Sequence, residues 1–196
     1  MTLLNLAELC PSSRSLGPGN RFILWVQGCC FNCPGCISPD WIPQKQGTLI
    51  EANHLAEIIL SRPNLDGVTV SGGEPMLQAI ALSELFSLLR QERDLSIISY
   101  SGFTLAQLSE KNNPYINKVL NYLDVLIDGL YIDSLNDNRG WRGSSNQTIH
   151  FLSDRHRSQA DQFEQRQREV EIHLRSQTAL MVGVPPTRVK QDFEKL

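Results

Sequence analysis

Four short apolar runs recur along the first two thirds of the chain, at 21–27 (RFILWVQ), 67–71 (GVTVS), 95–100 (LSIISY) and 124–128 (DVLID). Each is brief, continuous and rich in β-branched or aromatic residues, which is the pattern of a buried strand. Between them lie stretches with apolar residues at helical spacing: 51–60, then a leucine-rich segment from Pro75 to about Arg93, then one from Thr104 that Asn113-Pro114 divides before 119–123. Thr104 suits a helix N-cap, and a proline stops or opens a helix because it lacks the N–H that the interior needs. The resulting order, β-α-β-α-β-α-β, predicts parallel strands joined by right-handed crossovers with the helices packed outside.

A closed eight-fold barrel takes about 250 residues. This chain has 196 and patterns its last third differently. The expected fold is therefore α/β, a partial, open parallel β/α barrel with one side unclosed. From about Phe151 the sequence is polar and charged up to Arg168. Then Val170, Ile172 and Leu174 alternate with Glu171, His173 and Arg175, and a second apolar run at 179–182 precedes Gly183 and Pro185-Pro186. That alternation predicts a β-hairpin added at an edge, turning near Ser176-Gln177. No internal repeat or flexible linker marks a second domain, so 1–150 reads as the barrel core and 151–196 as a C-terminal extension of the same domain.

Cys29, Cys33 and Cys36 form a CxxxCxxC triplet on the loop leaving the first of these strands. The C-terminal ends of parallel strands are where α/β folds place chemistry, because the loops there converge. Three thiolates at that spacing can wrap one metal centre. A [4Fe–4S] cube normally takes four cysteine thiolates, so a triplet without a fourth leaves one iron open to a ligand. Cys10 lies far upstream in a polar segment, and Cys30, next to Cys29, points the opposite way on an extended backbone; both read as bystanders. Structural zinc needs four ligands, and no second CxxC-like pair or HxxxH follows. A disulfide framework fits poorly with five cysteines, an odd number, in a chain long enough to build its own core. Burial as small hydrophobes fits poorly with three cysteines flanking Pro34-Gly35 in a turn.

At the end of the next strand stands Ser71-Gly72-Gly73-Glu74-Pro75. Adjacent glycines let a backbone approach a ligand closely, and Glu74 supplies a carboxylate able to accept from an ammonium or hydroxyl. A tight strand-to-helix turn with proline at the helix start explains the same residues structurally. What adds weight is its position, one strand end beyond the cysteines.

Charge narrows the classes further. A net charge of −3 and a pI near 5.8 leave no basic footprint for nucleic acid. No apolar run has the length of a membrane span, nothing at the amino terminus resembles a targeting peptide, and reduced cysteines suit the cytoplasm.

Together these residues resemble the radical S-adenosylmethionine enzymes. More narrowly, six segments stand in the order and spacing of the anaerobic ribonucleoside-triphosphate reductase activating proteins, over roughly Gly17 to His150. They are the lead-in GPGNR at 17–21, the GCCFNCPGC loop, the SGGEP turn, YSGF at 100–103, DVLIDG at 124–129 and WRGSSNQ at 141–147. The resemblance implies a [4Fe–4S] cluster on Cys29, Cys33 and Cys36 whose open iron chelates S-adenosylmethionine. One electron, from a flavodoxin- or ferredoxin-type donor, would cleave the sulfonium to methionine and a 5′-deoxyadenosyl radical. In that family the radical removes a hydrogen atom from a glycine of a partner glycyl-radical enzyme, the anaerobic ribonucleotide reductase. Gly72, Gly73 and Glu74 match the positions that bind the methionine amino end, and Ser101 and Gly102 match a strand end lining the cofactor.

A laterally open barrel suits a protein loop as substrate. Asp128, at the end of its strand before Gly129, is expected to meet the incoming loop or the cofactor, although a turn residue after a strand would look the same. The hydrogen-bonding groups from Arg142 to Gln147 are read as supporting the site. Leu16 stands where related activases carry Asp or Asn, and Gly35 precedes the third cysteine where many radical enzymes place an aromatic. His150, His156 and His173 show no ligand spacing and read as loop or solvent-facing residues. Two other classes stay open: a small radical enzyme acting on a free metabolite, similar to 7-carboxy-7-deazaguanine synthase, and an electron-transfer iron–sulfur protein.

Overall fold

The computed structural model describes residues 2–193 and 195. A long strand β1 (Leu3–Ser13) turns back antiparallel into β2 (Arg21–Val26), the first of the expected strands. After the cysteine loop come β3 (Thr48–Glu51), α1 (Ala52–Leu60) and β4 (Gly67–Gly72). A 3-10 turn at Pro75–Gln78 feeds α2 (Ala79–Glu92), followed by β5 (Ser96–Ser101), α3 (Leu105–Glu110), α4 (Pro114–Tyr122), β6 (Val125–Asp128) and β7 (Thr148–Phe151). The seven strands form one sheet in the order β3-β1-β2-β4-β5-β6-β7. Its four central strands, β2, β4, β5 and β6, run parallel. The margins β3 and β7 are not paired with each other, so the barrel is open.

The local signals for α3 and α4 act as expected. Thr104 and Gln107 form a reciprocal capping box at the start of α3, and Asn113 caps α4 ahead of Pro114. The three marginal strands β1, β3 and β7 lay outside the sequence expectation. They are short or half-exposed and pair antiparallel, so they lack the continuous apolar run of a central strand.

Period-two alternation divides the strand side chains between two faces. Phe22, Leu24, Val26, Val68, Val70, Ile97 and Leu126 pack outward on Leu55 and Ile59 of α1, Leu82, Leu85, Phe86 and Leu89 of α2, and Ile116 and Val119 of α4. Each of these fully buried side chains contributes about 1.5–3 kcal/mol of transfer free energy. Ile23, Trp25, Ile98 and Ile127 face inward instead.

At the foot of the parallel strands the Arg21 guanidinium is fully buried, donating to Thr69 Oγ1 (2.7 Å), Val68 O (2.7 Å), Ser96 O (3.0 Å) and Pro18 O (3.1 Å). Desolvation lowers its pKa to about 9. This residue of the lead-in motif thus ties three strands and a loop together, and Arg21 pairs in register with Gly67, the first residue of β4, away from the strand ends that carry the cysteines.

The C-terminal segment corrects one expectation. β8 (Glu171–Leu174) and β9 (Ala179–Val182) do form a hairpin, but as a separate two-stranded sheet and not as an added edge. It lies on the inner face: Val182 and Val184 pack with Cys10, Leu16, Ile23 and Trp25. Phe163, on α5 (Ala160–Gln165), fills the other half of that face against Trp141, Ile98, Val125 and Ile127. An unclosed barrel leaves its inward apolar residues in water, and burying them drives the extension inside. α6 (Thr187–Phe193) follows the hairpin. Among the described residues no helix is long and apolar enough to cross a membrane.

Candidate active site

The cysteine loop is held open by its own return limb. Gly28 N donates to Trp41 O (2.9 Å) and Cys29 N to Ile42 O (3.0 Å), while Cys36 N closes a turn on Cys33 O (3.1 Å). Two backbone amides aim at sulfur: Phe31 N at Cys29 Sγ and Ser38 N at Cys36 Sγ, both at 3.4 Å. All three cysteines of the triplet are free and line one cavity. Burial pushes the Cys29 thiol up to about 11 and raises Cys33 as well. Protein surroundings alone hold these groups as thiols, and only a bound cation would draw out the thiolates. Cys30 is exposed, and buried Cys10 lies beside His173 of the extension (3.7 Å) with its thiol on Ser12 O (3.3 Å).

The ends of β4 and β5 also border the cavity. Gly72 has φ +108° and lies so close to β2 that a Cβ would press on the Val26 backbone; a Cβ on Gly73 would collide with the Gly28 carbonyl. Only glycines allow β4 to pass this near the start of the cysteine loop. Gly72 lines the cavity, whereas Gly73 stands behind it, its amide donating to Val26 O (2.8 Å).

The Glu74 side chain is buried, 1% exposed, and lines the cavity. Its Oε1 accepts from Met76 N and Ser101 Oγ, both at 2.9 Å, and its Oε2 from Gly102 N at 2.7 Å. A carboxylate has about four acceptor sites, so about one is left for a ligand. Burial raises its pKa, with the three hydrogen bonds pulling the other way.

The cavity has a volume of about 150 Å³ and opens to solvent. Cys29, Cys33, Cys36, Gly72, Glu74, Ser101 and Gly102 all border it. Phe31 lies over Gly102 and meets Phe103 edge-on at 4.7 Å between ring centres.

Asp128 is a correction. It is buried and does not line the cavity; its Oδ2 accepts from Leu105 N and pairs with His150 Nε2 (2.9 Å). The carboxylate braces the start of α3, and the cavity is bordered instead by the next residue, Gly129. The histidines also differ from expectation: His156 is buried against Ser96 Oγ (2.7 Å), and His173 meets Glu171 (3.0 Å).

Most of the hydrogen-bonding groups at 141–147 brace neighbouring loops. Gln147 Nε2 donates to Gly129 O (2.7 Å), Asn146 to Leu130 O (2.8 Å), and Ser144 Oγ accepts from Ile132 N (3.1 Å). Sequence reasoning missed Trp25, Phe31, Tyr131, Gly183 and Val184 as cavity residues. Their shared signal is adjacency to the strand ends for the first three; for the last two there was none. Leu16 also lines the cavity, an apolar wall at the position where a polar residue was the family expectation.

An open α/β barrel with three free cysteines beyond one parallel strand and a glycine-flanked buried carboxylate beyond the next defines a radical S-adenosylmethionine type of protein. Residues 15–150 match a family described as a 4Fe-4S single cluster domain, so the fold is an iron–sulfur-binding one. The chain is 33% identical over 156 residues to the anaerobic ribonucleoside-triphosphate reductase-activating protein of Vibrio cholerae, covering 75% of this chain and 97% of that protein. It is 29% identical over 153 residues to the protein of that name from Enterobacteria phage T4 (74% and 93%) and 31% identical over 147 residues to that of Salmonella typhi (69% and 91%). The chain belongs to this family of reductase-activating proteins and is a radical S-adenosylmethionine oxidoreductase.

Proposed function

We propose that Cys29, Cys33 and Cys36 hold a [4Fe–4S] cluster, that Gly72, Glu74, Ser101 and Gly102 bind S-adenosylmethionine beside it with Gly73 holding the turn behind them, and that the protein sets a glycyl radical on a partner anaerobic ribonucleotide reductase. The observation that carries this is the shared cavity, which the three cysteines and the buried Glu74 border together. Among the described residues no three His, Cys, Asp or Glu side chains gather tightly enough for a single metal ion. The amides at Phe31 and Ser38 that point to sulfur suit thiolate ligands, since such bonds strengthen with charge.

Bound there, the cluster and S-adenosylmethionine supply one-electron reductive cleavage and removal of a hydrogen atom from a glycine. The chain's part is binding and orientation. Glu74 offers its remaining acceptor site to the methionine ammonium, and Ser101 and the Gly102 amide hold that carboxylate still. Asp128 acts as a positioning residue through Leu105, at the end of the turn that begins at Gly102. Phe31 and Trp25 give the cavity an apolar lining. The electron comes from a flavodoxin- or ferredoxin-type donor.

The test is anaerobic reconstitution, followed by mixing the reduced protein with S-adenosylmethionine and the reductase. About four irons per chain, lost in Cys29→Ala, Cys33→Ala or Cys36→Ala but kept in Cys10→Ala and Cys30→Ala, and a doublet glycyl-radical resonance are expected. Zinc without iron, or consumption of a free metabolite with no radical on the reductase, would sink the assignment.

A further inference from the structure

We infer that Lys190, on the C-terminal extension, is a positioning residue for the cysteine loop, and that the segment around it is a strap setting how firmly that loop holds its cluster. Lys190 Nζ donates to two backbone carbonyls of the loop, Gly35 O and Cys36 O, both at 3.1 Å. The helix carrying it is itself pinned, since Thr187 donates through N (2.9 Å) and Oγ1 (3.2 Å) to Asn138 Oδ1. Upstream, Gly183 and Val184 form part of the cavity wall, and Val182 is fully buried on the inner face. The strap therefore grips the fold at three points, one of them the third cysteine itself.

The family match ends at residue 150, and the alignments with the Vibrio cholerae, T4 and Salmonella typhi proteins cover 91–97% of those proteins but only 69–75% of this chain. The strap lies beyond the matched family region. Its target is a tight turn, in which Gly35 takes φ +74° and Cys36 N donates to Cys33 O. Two ammonium–carbonyl bonds fix the peptide carbonyls on either side of the Cys36 α-carbon. Hydrogen bonds from a cation are about twice as strong as neutral ones, and groups that orient a ligand residue tune both metal retention and potential. Three thiolates leave the cluster unit anionic, so a nearby ammonium favours its reduced form.

The inference rests on the cluster assignment above, and its test has an arm that does not. In the protein before reconstitution, Lys190→Met should raise amide hydrogen exchange across 33–38 by about tenfold, the equivalent of one charge-assisted bond. Exchange in β4 and β5 should stay unchanged, and Lys190→Arg should restore protection. After reconstitution, Lys190→Met should lose iron to a chelator about tenfold faster and move the cluster midpoint to more negative potential, again with rescue by arginine. Unchanged loop exchange in Lys190→Met, or a rise spread over the whole sheet, overturns the strap. Failure of the wild-type protein to take up iron overturns the cluster assignment and leaves the exchange result to decide the strap alone.

Discussion

Ser101 Oγ stands 2.9 Å from Glu74 Oε1 and donates to it, joining the end of β5 to the end of β4 across 27 residues of sequence. The bond fixes a buried carboxylate in the cavity that the cysteines also line. Removing the hydroxyl leaves Oε1 with Met76 N alone.

Ser101→Ala is expected to weaken S-adenosylmethionine binding about tenfold and to lower stability by about 1.5–3 kcal/mol, the range for a hydrogen bond to a charged group. Glu74→Ala, which removes the acceptor itself, should weaken binding about ten- to a hundred-fold with the iron content intact. Anaerobic titration calorimetry and iron analysis measure both. An unchanged dissociation constant in Glu74→Ala would take Glu74 out of the site.

Burial raises the Glu74 pKa above the ordinary carboxylate value of 4.5. Only the ionised form accepts from an ammonium, so binding should be full above the raised pKa and fall as pH drops through it. Glu74→Gln should flatten that part of the profile. A wild-type profile whose midpoint stays at or below 4.5 contradicts the placement of this group.

His156 contributes a separate pH dependence, this time of folding. Desolvation lowers its pKa below 6.5, so the folded state disfavours protonation relative to the unfolded chain. Its contribution is complete above about pH 6.5 and is lost as pH falls through that value toward the depressed one. Urea unfolding at pH 7.5 and 5.5 should show a drop in midpoint that His156→Gln reduces. Equal drops in both proteins would assign the effect to other groups.

Gly73→Ala should be among the most damaging single changes. Its Cβ meets the backbone carbonyl of Gly28, which cannot rotate aside, so β4 must separate from the start of the cysteine loop. Loss of about 1–3 kcal/mol and of iron binding is expected. Gly102→Ala is the contrast, because its Cβ meets the movable Phe31 ring at 2.6 Å. Thermal denaturation and iron content of the two variants rank them, and the reverse order would refute this reading of the strand ends.

Asp128→Ala should act at a distance. It unties Leu105 N and His150 together, loosening the start of α3 and the turn from Gly102. Cofactor cleavage and glycyl-radical formation should therefore fall in parallel, read by product chromatography and electron paramagnetic resonance. A selective loss of radical transfer would restore Asp128 to the substrate side.

What the sequence determined by itself is local in origin. The four central strands follow from continuous β-branched runs, α3 and α4 from Thr104 and Asn113-Pro114, and the triplet on one loop from the spacing of Cys29, Cys33 and Cys36. Each depends on a few neighbouring residues and on the alternation of side chains along a strand. The hairpin at 171–182 was legible in the same way, but its docking was not, because any two-stranded apolar face fits an edge or an inner surface equally well on paper. Only the tertiary structure decided that this hairpin fills the open barrel, that Lys190 reaches the third cysteine and that Asp128 turns to α3 while Glu74 turns to Ser101. Those outcomes depend on which faces the crossovers bring together and on burying the inward residues that an unclosed sheet exposes, and neither quantity is carried by any short stretch of chain.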